Sequence, residues 1–296
     1  MSCSNPMIAI KEKSSLTKTG YRVRFFSKYR PDKAVHLKER YGDSLLFLPC
    51  GHCESCKLAY RKDWSVRCEM ESLLHRDSCF LTLTLDDLHI KPLPLKEDLQ
   101  YFLHKLRDSY GIKCRYFACG ELGSKSNRAH YHMILFGYKP DDLKFYGFSK
   151  SGEYMFTSKF LTKVWDKGLV TIQDFNIANA SYVAGYVKKD KKQTFIMEST
   201  RPGLGRDYMV SNLHQLFKYG KYQGKNGQVH RLPRYFDKVC DQLGYDTFHL
   251  KEDSKEMMDD LNKSSKFNLG IFQDVNLFAH QGVIMRDKLK KMKRGL

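Results

Sequence analysis

Apolar positions change period several times along this chain. Between residues 56 and 74, Leu58, Trp64, Val66, Met70, Leu73 and Leu74 recur near helical spacing with no Pro or Gly. Cys79–Leu85 alternates apolar residues with Thr and predicts a strand. Leu95–Tyr110 places Leu99, Phe102, Leu103 and Leu106 on one helical face, and Gly111 is a natural stop. Arg115–Cys119 predicts a short strand ending in Gly120-Glu121, and Ala129–Phe136 a second one closed by Gly137. Phe156–Trp165 reads as a helix ended by Gly168, Leu169–Phe175 as a strand, and Ile177–Lys189 as a helix despite Gly185. Residues 1–49 mix basic and aromatic positions (Tyr21, Arg22, Arg24, Phe25, Phe26) without a period and read as irregular.

The order β-α-β-β-α-β-α from residue 79 predicts an α+β fold. Its economical packing is a central antiparallel sheet of about five strands with helices on one face. Three segments are expected: an N-terminal extension with a cysteine cluster and a helix (1–75), a core (76–195), and a C-terminal extension with a basic tail (196–296). No internal repeat or low-complexity tract interrupts them.

Charge narrows the function. Lys and Arg outnumber Asp and Glu by 51 to 33, a formal net charge of +18. A field of that sign concentrates polyanions and makes nucleic acid the expected partner. No run approaches the length of a membrane span, and Met1–Pro6 lacks a charged-then-apolar secretory pattern. The expected setting is therefore the host cell cytoplasm, with no membrane partner. Nine cysteines without an export signal argue for reduced thiols. Cys50, Cys53 and Cys56 are clustered, and the other six are expected to be packing residues.

His130 and His132 are two apart in an apolar strand and therefore share a face. Two imidazoles there are costly to bury without a partner, and they form half of a metal site. An antiparallel return from Glu121 would bring a carboxylate beside them. Two His and one carboxylate suit Mg²⁺ or Mn²⁺ acting as a Lewis acid. The same set describes a non-haem iron oxygenase, which would leave the charge unexplained. Tyr182 and Tyr186 sit four apart, one helical turn, with both phenols on one face. The ordinary role of such a stripe is core packing. The small Ala184 and Gly185, with Lys188 and Lys189 following, instead favour approach of DNA and support of a phenolate nucleophile.

Together these segments resemble the HUH endonucleases, and among them the replication initiators of microviruses of the gokushovirus type. Phe80–Asp87 is similar to that family's first strand, and His130-Tyr131-His132 to its His-hydrophobic-His metal motif, with Glu121 as third ligand. Tyr182–Lys189 is similar to its two-tyrosine helix. The resemblance extends to Pro49–Cys56, Arg201–Gly205 and Leu232–Lys238. Tyr131 lies between the histidines, but strand alternation turns it away from them.

The resemblance implies that one tyrosine attacks an origin phosphate, forming a 5′-phosphotyrosyl link and freeing a 3′-OH primer. The second tyrosine would cleave the regenerated origin, and the displaced strand would be joined into a circle. It implies Tyr182, Tyr186 and Lys189 as catalytic residues, single-stranded and origin duplex DNA as substrates, and a host helicase and polymerase as partners. The competing class is a non-catalytic DNA-binding protein using its cysteine cluster and basic tail.

Cys50-x₂-Cys53-x₂-Cys56 has the spacing of a zinc or iron–sulfur site. A tetrahedral zinc would need a fourth ligand, for which His52, Cys68 and Cys3 are candidates. A tight turn with buried thiols is the alternative, and a thioredoxin-type motif lacks its preceding strand. The tail Arg286–Arg294 carries six basic residues against one acid and is either a phosphate grip or a solvated helix end.

Overall fold

A computed structural model describes residues 3, 5–13, 15, 21–28, 31–123, 128–186 and 194–245. The chain divides into two compact units, residues 1–59 with 252–296, and residues 60–251. Lys188, Lys189 and the basic tail lie outside the described residues.

The first unit is ordered, where an irregular segment was expected. Strands β1 (Met7–Lys13), β2 (Tyr21–Lys28) and β3 (Leu45–Leu48) form an antiparallel sheet in the order β2-β1-β3. Helix α1 (Pro31–Tyr41) contributes Leu37 and Tyr41 to a small core of Ile8, Ile10 and Leu45. The charges hid the strand: β2 places Arg22 and Arg24 against Glu12 of β1, so its outer positions are salt-bridged rather than apolar. Helix α2 (Glu54–Ser72) begins in this unit and continues into the next.

The second unit is built on one sheet. Its strands are β4 (Ser78–Thr84), β5 (Arg115–Leu122), β6 (Ala129–Phe136), β7 (Leu143–Phe148), β8 (Tyr154–Ser158), β9 (Val170–Asp174) and β10 (Phe195–Glu198). They pair antiparallel in the order β10-β5-β6-β4-β9-β8-β7, seven strands rather than about five. The class is α+β as expected. The β7–β8 hairpin was hidden by its composition: Phe145, Tyr146, Phe148 and Tyr154 are all exposed, so its two faces do not differ in polarity, and the register slips near Gly147. The helix expected over Phe156–Trp165 is half strand. Ser158 accepts a hydrogen bond from the Leu161 amide at 3.0 Å and starts α4 (Lys159–Trp165) as its N-cap.

Helices cover both faces of the sheet, not one. Helix α3 (Lys96–His104) and α4 pack Leu99, Phe102, Leu161 and Trp165 against Leu81, Leu83, Met133 and Leu135. The opposite face holds Phe80, Phe117, Cys119, Ile134 and Phe136 under Trp64 and Cys68 of α2 and under α5 (Ile177–Gly185). The cause is visible in β6, whose run Met133-Ile134-Leu135-Phe136 is fully buried on both sides, as a strand between two helical layers must be. A third core around Met70, Met209, Phe236 and Val239 joins α2 to α6 (Arg206–Ser211), α7 (Leu213–Tyr219) and α8 (Arg234–Gln242), with the small hairpin of β11 (Lys221–Gln223) and β12 (Val229–Arg231) beside them.

Candidate active site

Three neighbouring strands bring the ligand candidates into register. Glu121 on β5 pairs directly with His130 on β6, and His132 pairs with Cys119 on β5 and Thr82 on β4. Strand β5 runs to Leu122, beyond the expected end at Cys119, so Glu121 is held inside the ladder. Alternation then puts Glu121, His130 and His132 on the α5 side of the sheet.

Helix α5 begins at a reciprocal cap in which the Asn176 and Asn179 side chains each bond the other's backbone amide. The cap fixes the phase that points Tyr182 at the histidines. Tyr182 donates its hydroxyl hydrogen to Glu121 Oε1 at 3.0 Å. His130 Nε2 and His132 Nε2 lie 2.8 and 3.1 Å from that same oxygen. The Tyr182 and Tyr186 rings are 5.2 Å apart, and each lies near His132, at 5.0 and 6.4 Å between ring centres.

The imidazoles are oriented from behind. His130 Nδ1 faces the Arg128 carbonyl at 3.3 Å, which can only accept, so Nδ1 carries a hydrogen. A neutral His130 therefore turns the lone pair of Nε2 toward a carboxylate oxygen. That contact is repulsive unless the ring is protonated or a cation stands between them. His132 Nδ1 is held by the Thr82 hydroxyl at 3.1 Å. Such outer hydrogen bonds are characteristic of metal-ligating histidines. The three donor atoms lie within 4.8 Å of one another, and the donor set fits a divalent cation.

Electrostatics at the site are strongly coupled. Burial works against ionisation of Glu121, but hydrogen bonds from His130, His132 and Tyr186 outweigh it and hold the carboxyl well below its usual range. Burial also opposes protonation of His130, yet Glu121 prevails and its pKa rises. His132 is more deeply buried, and there desolvation wins and the pKa falls. Both phenols are pushed up, first by burial and then by the Glu121 charge. Neither tyrosine ionises easily without an added positive charge.

Tyr131 points the other way, as alternation requires. It is fully buried, donates to Asp98 Oδ2 at 2.5 Å and accepts from the Leu95 amide at 3.2 Å.

Two expectations about α5 change. Ala184 is buried against the sheet, and a side chain at Gly185 would meet the Arg61 guanidinium at 3.1 Å. Their smallness serves close packing rather than an open path for DNA. Arg61 itself was missed by sequence reasoning, because nothing in its neighbourhood marks it among so many basic residues. Its Nε is buried and has no hydrogen-bond partner among the described residues.

In the first unit, Cys50, Cys53 and Cys56 gather with Cys3. Cys3 is therefore not one of the scattered packing cysteines. Cys68, another candidate fourth ligand, is buried in the core beneath α2, and Cys79, Cys114, Cys119 and Cys240 are buried as expected.

The outer segments that carry the resemblance brace α2. Arg67 donates from Nε to the Leu204 carbonyl at 3.1 Å and lies over both Trp64 and Tyr235, while the Gly205 amide donates to Glu71 at 2.7 Å.

Known proteins agree with this arrangement. The family of replication-associated proteins of the ORF2 type matches residues 78–191, which takes in the sheet, the histidine pair and α5. Replication-associated protein ORF2 of Spiroplasma virus 4 is 30% identical over 225 residues, 69% of this chain and 70% of that protein. The chain belongs to this family of phage replication-associated proteins.

Two further members align with it. Replication-associated protein VP4 of Bdellovibrio phage phiMH2K is 30% identical over 64% of this chain and 65% of its own length. Replication-associated protein ORF4 of Chlamydia phage 1 is 32% identical over 66% of this chain and 54% of its own length. The chain thus spans between about half and about two thirds of these two relatives. No solved structure matches it. Among the described residues, no helix is long and apolar enough to cross a membrane.

Proposed function

We propose that this protein initiates rolling-circle replication of a small single-stranded DNA genome by nicking its origin with a tyrosine nucleophile and later rejoining the displaced strand. The observation that carries this reading is the convergence of His130, His132 and the Tyr182 hydroxyl on one carboxylate oxygen of Glu121, with Tyr186 one turn away. Names of the relatives support a role in replication, and the net charge of +18 supports DNA as substrate.

Mg²⁺ or Mn²⁺ held by Glu121, His130 and His132 would supply Lewis-acid polarisation of the scissile phosphate. The chain's own groups do the rest. Tyr182 or Tyr186 attacks phosphorus through its phenolic oxygen, and the bond from phosphorus to the 3′ oxygen breaks. The products are a 5′-phosphotyrosyl link and a free 3′-OH, which takes up a proton as the phenol releases one. Because the phosphodiester energy is conserved in the tyrosyl link, the reverse attack by a 3′-OH rejoins a strand without a nucleotide cofactor. Arg61, buried beside Gly185 with an unsatisfied Nε, is placed by this reading to bind a DNA phosphate. Lys189 would assist phenolate formation. Host helicase and polymerase would open the duplex and extend the freed 3′-OH.

The test is incubation of the protein with labelled origin DNA and Mg²⁺ or Mn²⁺, followed by a denaturing gel. A covalent adduct is expected from the wild type. It should be absent from His132→Ala and from the Tyr182→Phe/Tyr186→Phe double variant, both still binding DNA in a salt-dependent way. DNA binding without any adduct would favour the non-catalytic alternative.

A further inference from the structure

Cys3, Cys50, Cys53 and Cys56 come from three separate places in the first unit. Cys3 precedes β1, Cys50 and Cys53 follow β3, and Cys56 lies in the first turn of α2. Their four sulfur atoms all lie within 4.8 Å of one another. Cys3 Sγ is 3.7 Å from Cys53 Sγ, and Cys50 Sγ is 4.0 Å from Cys56 Sγ. With zinc–sulfur bonds of about 2.3 Å, the edge of a regular tetrahedron of thiolates is about 3.8 Å. A disulfide would draw two of the sulfurs together and exclude the other pair, whereas all four are free thiols. A cluster of two or four irons holds its thiolates on different metal atoms, and so farther apart than a single ion does.

Backbone amides point at the sulfurs. Those of His52 and Cys53 donate to Cys50 Sγ at 3.4 and 3.3 Å, and that of Cys50 donates to Cys3 Sγ at 3.3 Å. Gly51, at φ 77°, permits the turn that aims them. Amides donated to sulfur favour thiolate over thiol, which is the form a metal takes.

The surrounding unit also needs the tie. Its buried hydrophobic core is Ile8, Ile10 and Leu45, with Leu37 and Tyr41 partly buried against it. Units this small usually depend on a metal or on disulfides for stability.

We propose that Cys3, Cys50, Cys53 and Cys56 bind one zinc ion, which ties the start of β1 and the end of β3 to the first turn of α2. Four thiolates close the coordination shell, so the role is structural. His52 is not a ligand: its backbone contributes, its ring does not. The proposal is independent of the DNA chemistry, since none of these residues belongs to the histidine site.

The experiment measures metal in full-length protein purified under reducing conditions. To keep the two sites apart, it is run on the wild type and on a His130→Ala/His132→Ala variant. About one zinc per chain should remain in both. Cobalt exchanged into the double-alanine protein should show the intense visible and thiolate charge-transfer absorption of a four-thiolate tetrahedron. Cys3→Ser should lose the zinc, Cys3→His should recover it as a weaker site, and His52→Ala should keep it. Reduced protein that holds no metal, or holds iron in place of zinc, overturns the proposal. Retention by Cys3→Ser with loss in His52→Ala overturns the ligand set, and the cobalt spectrum remains decisive if Cys3→Ser does not fold.

Discussion

Three tyrosines lie close to the histidine pair, and replacing each by Phe separates nucleophile from scaffold. Tyr131 is the informative control. Its ring is fully buried, its hydroxyl donates to Asp98 Oδ2, and it accepts the Leu95 amide at the start of α3. Tyr131→Phe keeps the ring and removes both bonds. Loss of a hydrogen bond to a charged acceptor costs about 1.5–3 kcal/mol, and a stranded amide adds about 1 kcal/mol, for a destabilisation of about 2–4 kcal/mol. In a unit of this size each kcal/mol lowers the midpoint by about 2–4 °C. Urea and thermal unfolding of wild type and variant measure it, with the urea slope checked for constancy. The covalent adduct with origin DNA should persist at temperatures where the variant is folded, because Tyr131 faces α3 and not the carboxylate of Glu121. A folded Tyr131→Phe protein with wild-type stability and no adduct would refute the assignment of the two faces of β6.

Tyr182 is 45% exposed and Tyr186 only 6%, so Tyr182→Phe should cause the larger loss of first-round adduct on short origin oligonucleotides. Each single variant should fail to release closed circles over a full cycle; equal first-round losses would show that burial does not order the two. Arg61→Ala should lower adduct formation by about 10–150-fold, the equivalent of a lost charge-assisted bond of about 1.5–3 kcal/mol, with Arg61→Lys recovering part of it. Unchanged cleavage by Arg61→Ala would remove it from the site. Asp98 is buried, which disfavours its charge, yet hydrogen bonds from Lys167, Lys91 and Tyr131 prevail and depress its pKa. A depressed carboxylate contributes stability that is complete above its unfolded value of about 3.9 and is lost as pH falls through the folded value. Asp98→Asn should therefore lower stability at neutral pH and flatten its fall below about pH 4; parallel acid limbs for variant and wild type would show that this network is not the titrating element.

The candidate site was far more legible than the fold around it. His130 and His132 were readable because a strand period of two is unambiguous once Ala129–Phe136 is recognised as a strand. Glu121 followed from its place on the preceding strand. Elements whose faces differ in polarity were found, among them α2, α3 and β4. What escaped was structure without that contrast. The aromatic β7–β8 hairpin exposes its rings on both sides, and β1–β2 satisfies itself through charge pairs. Arg61 and Cys3 escaped for another reason. Each matters through a neighbour far away in sequence, Arg61 through Gly185 and Cys3 through Cys53, and a single chain carries no periodic sign of such pairings.

Strand β6 shows how the fold makes the site. Its buried residues alternate between two helical layers. One layer anchors Tyr131 to the Asp98 charge network through α3, and the other presents His130 and His132 to the tyrosines of α5. A backbone clamped on one face cannot shift register, because a slip of one residue would send both histidines into the apolar layer under α3 and Tyr131 into the site. Asp98 therefore acts on the opposite side of the sheet from the Glu121 carboxylate, and holds the histidines in place through the strand itself. That makes a sharp distinction between variants on the two faces. Changes at Asp98 and Tyr131 should alter stability first and cleavage only through it, whereas changes at Glu121, His132 and Tyr182 should remove cleavage from a protein that still folds.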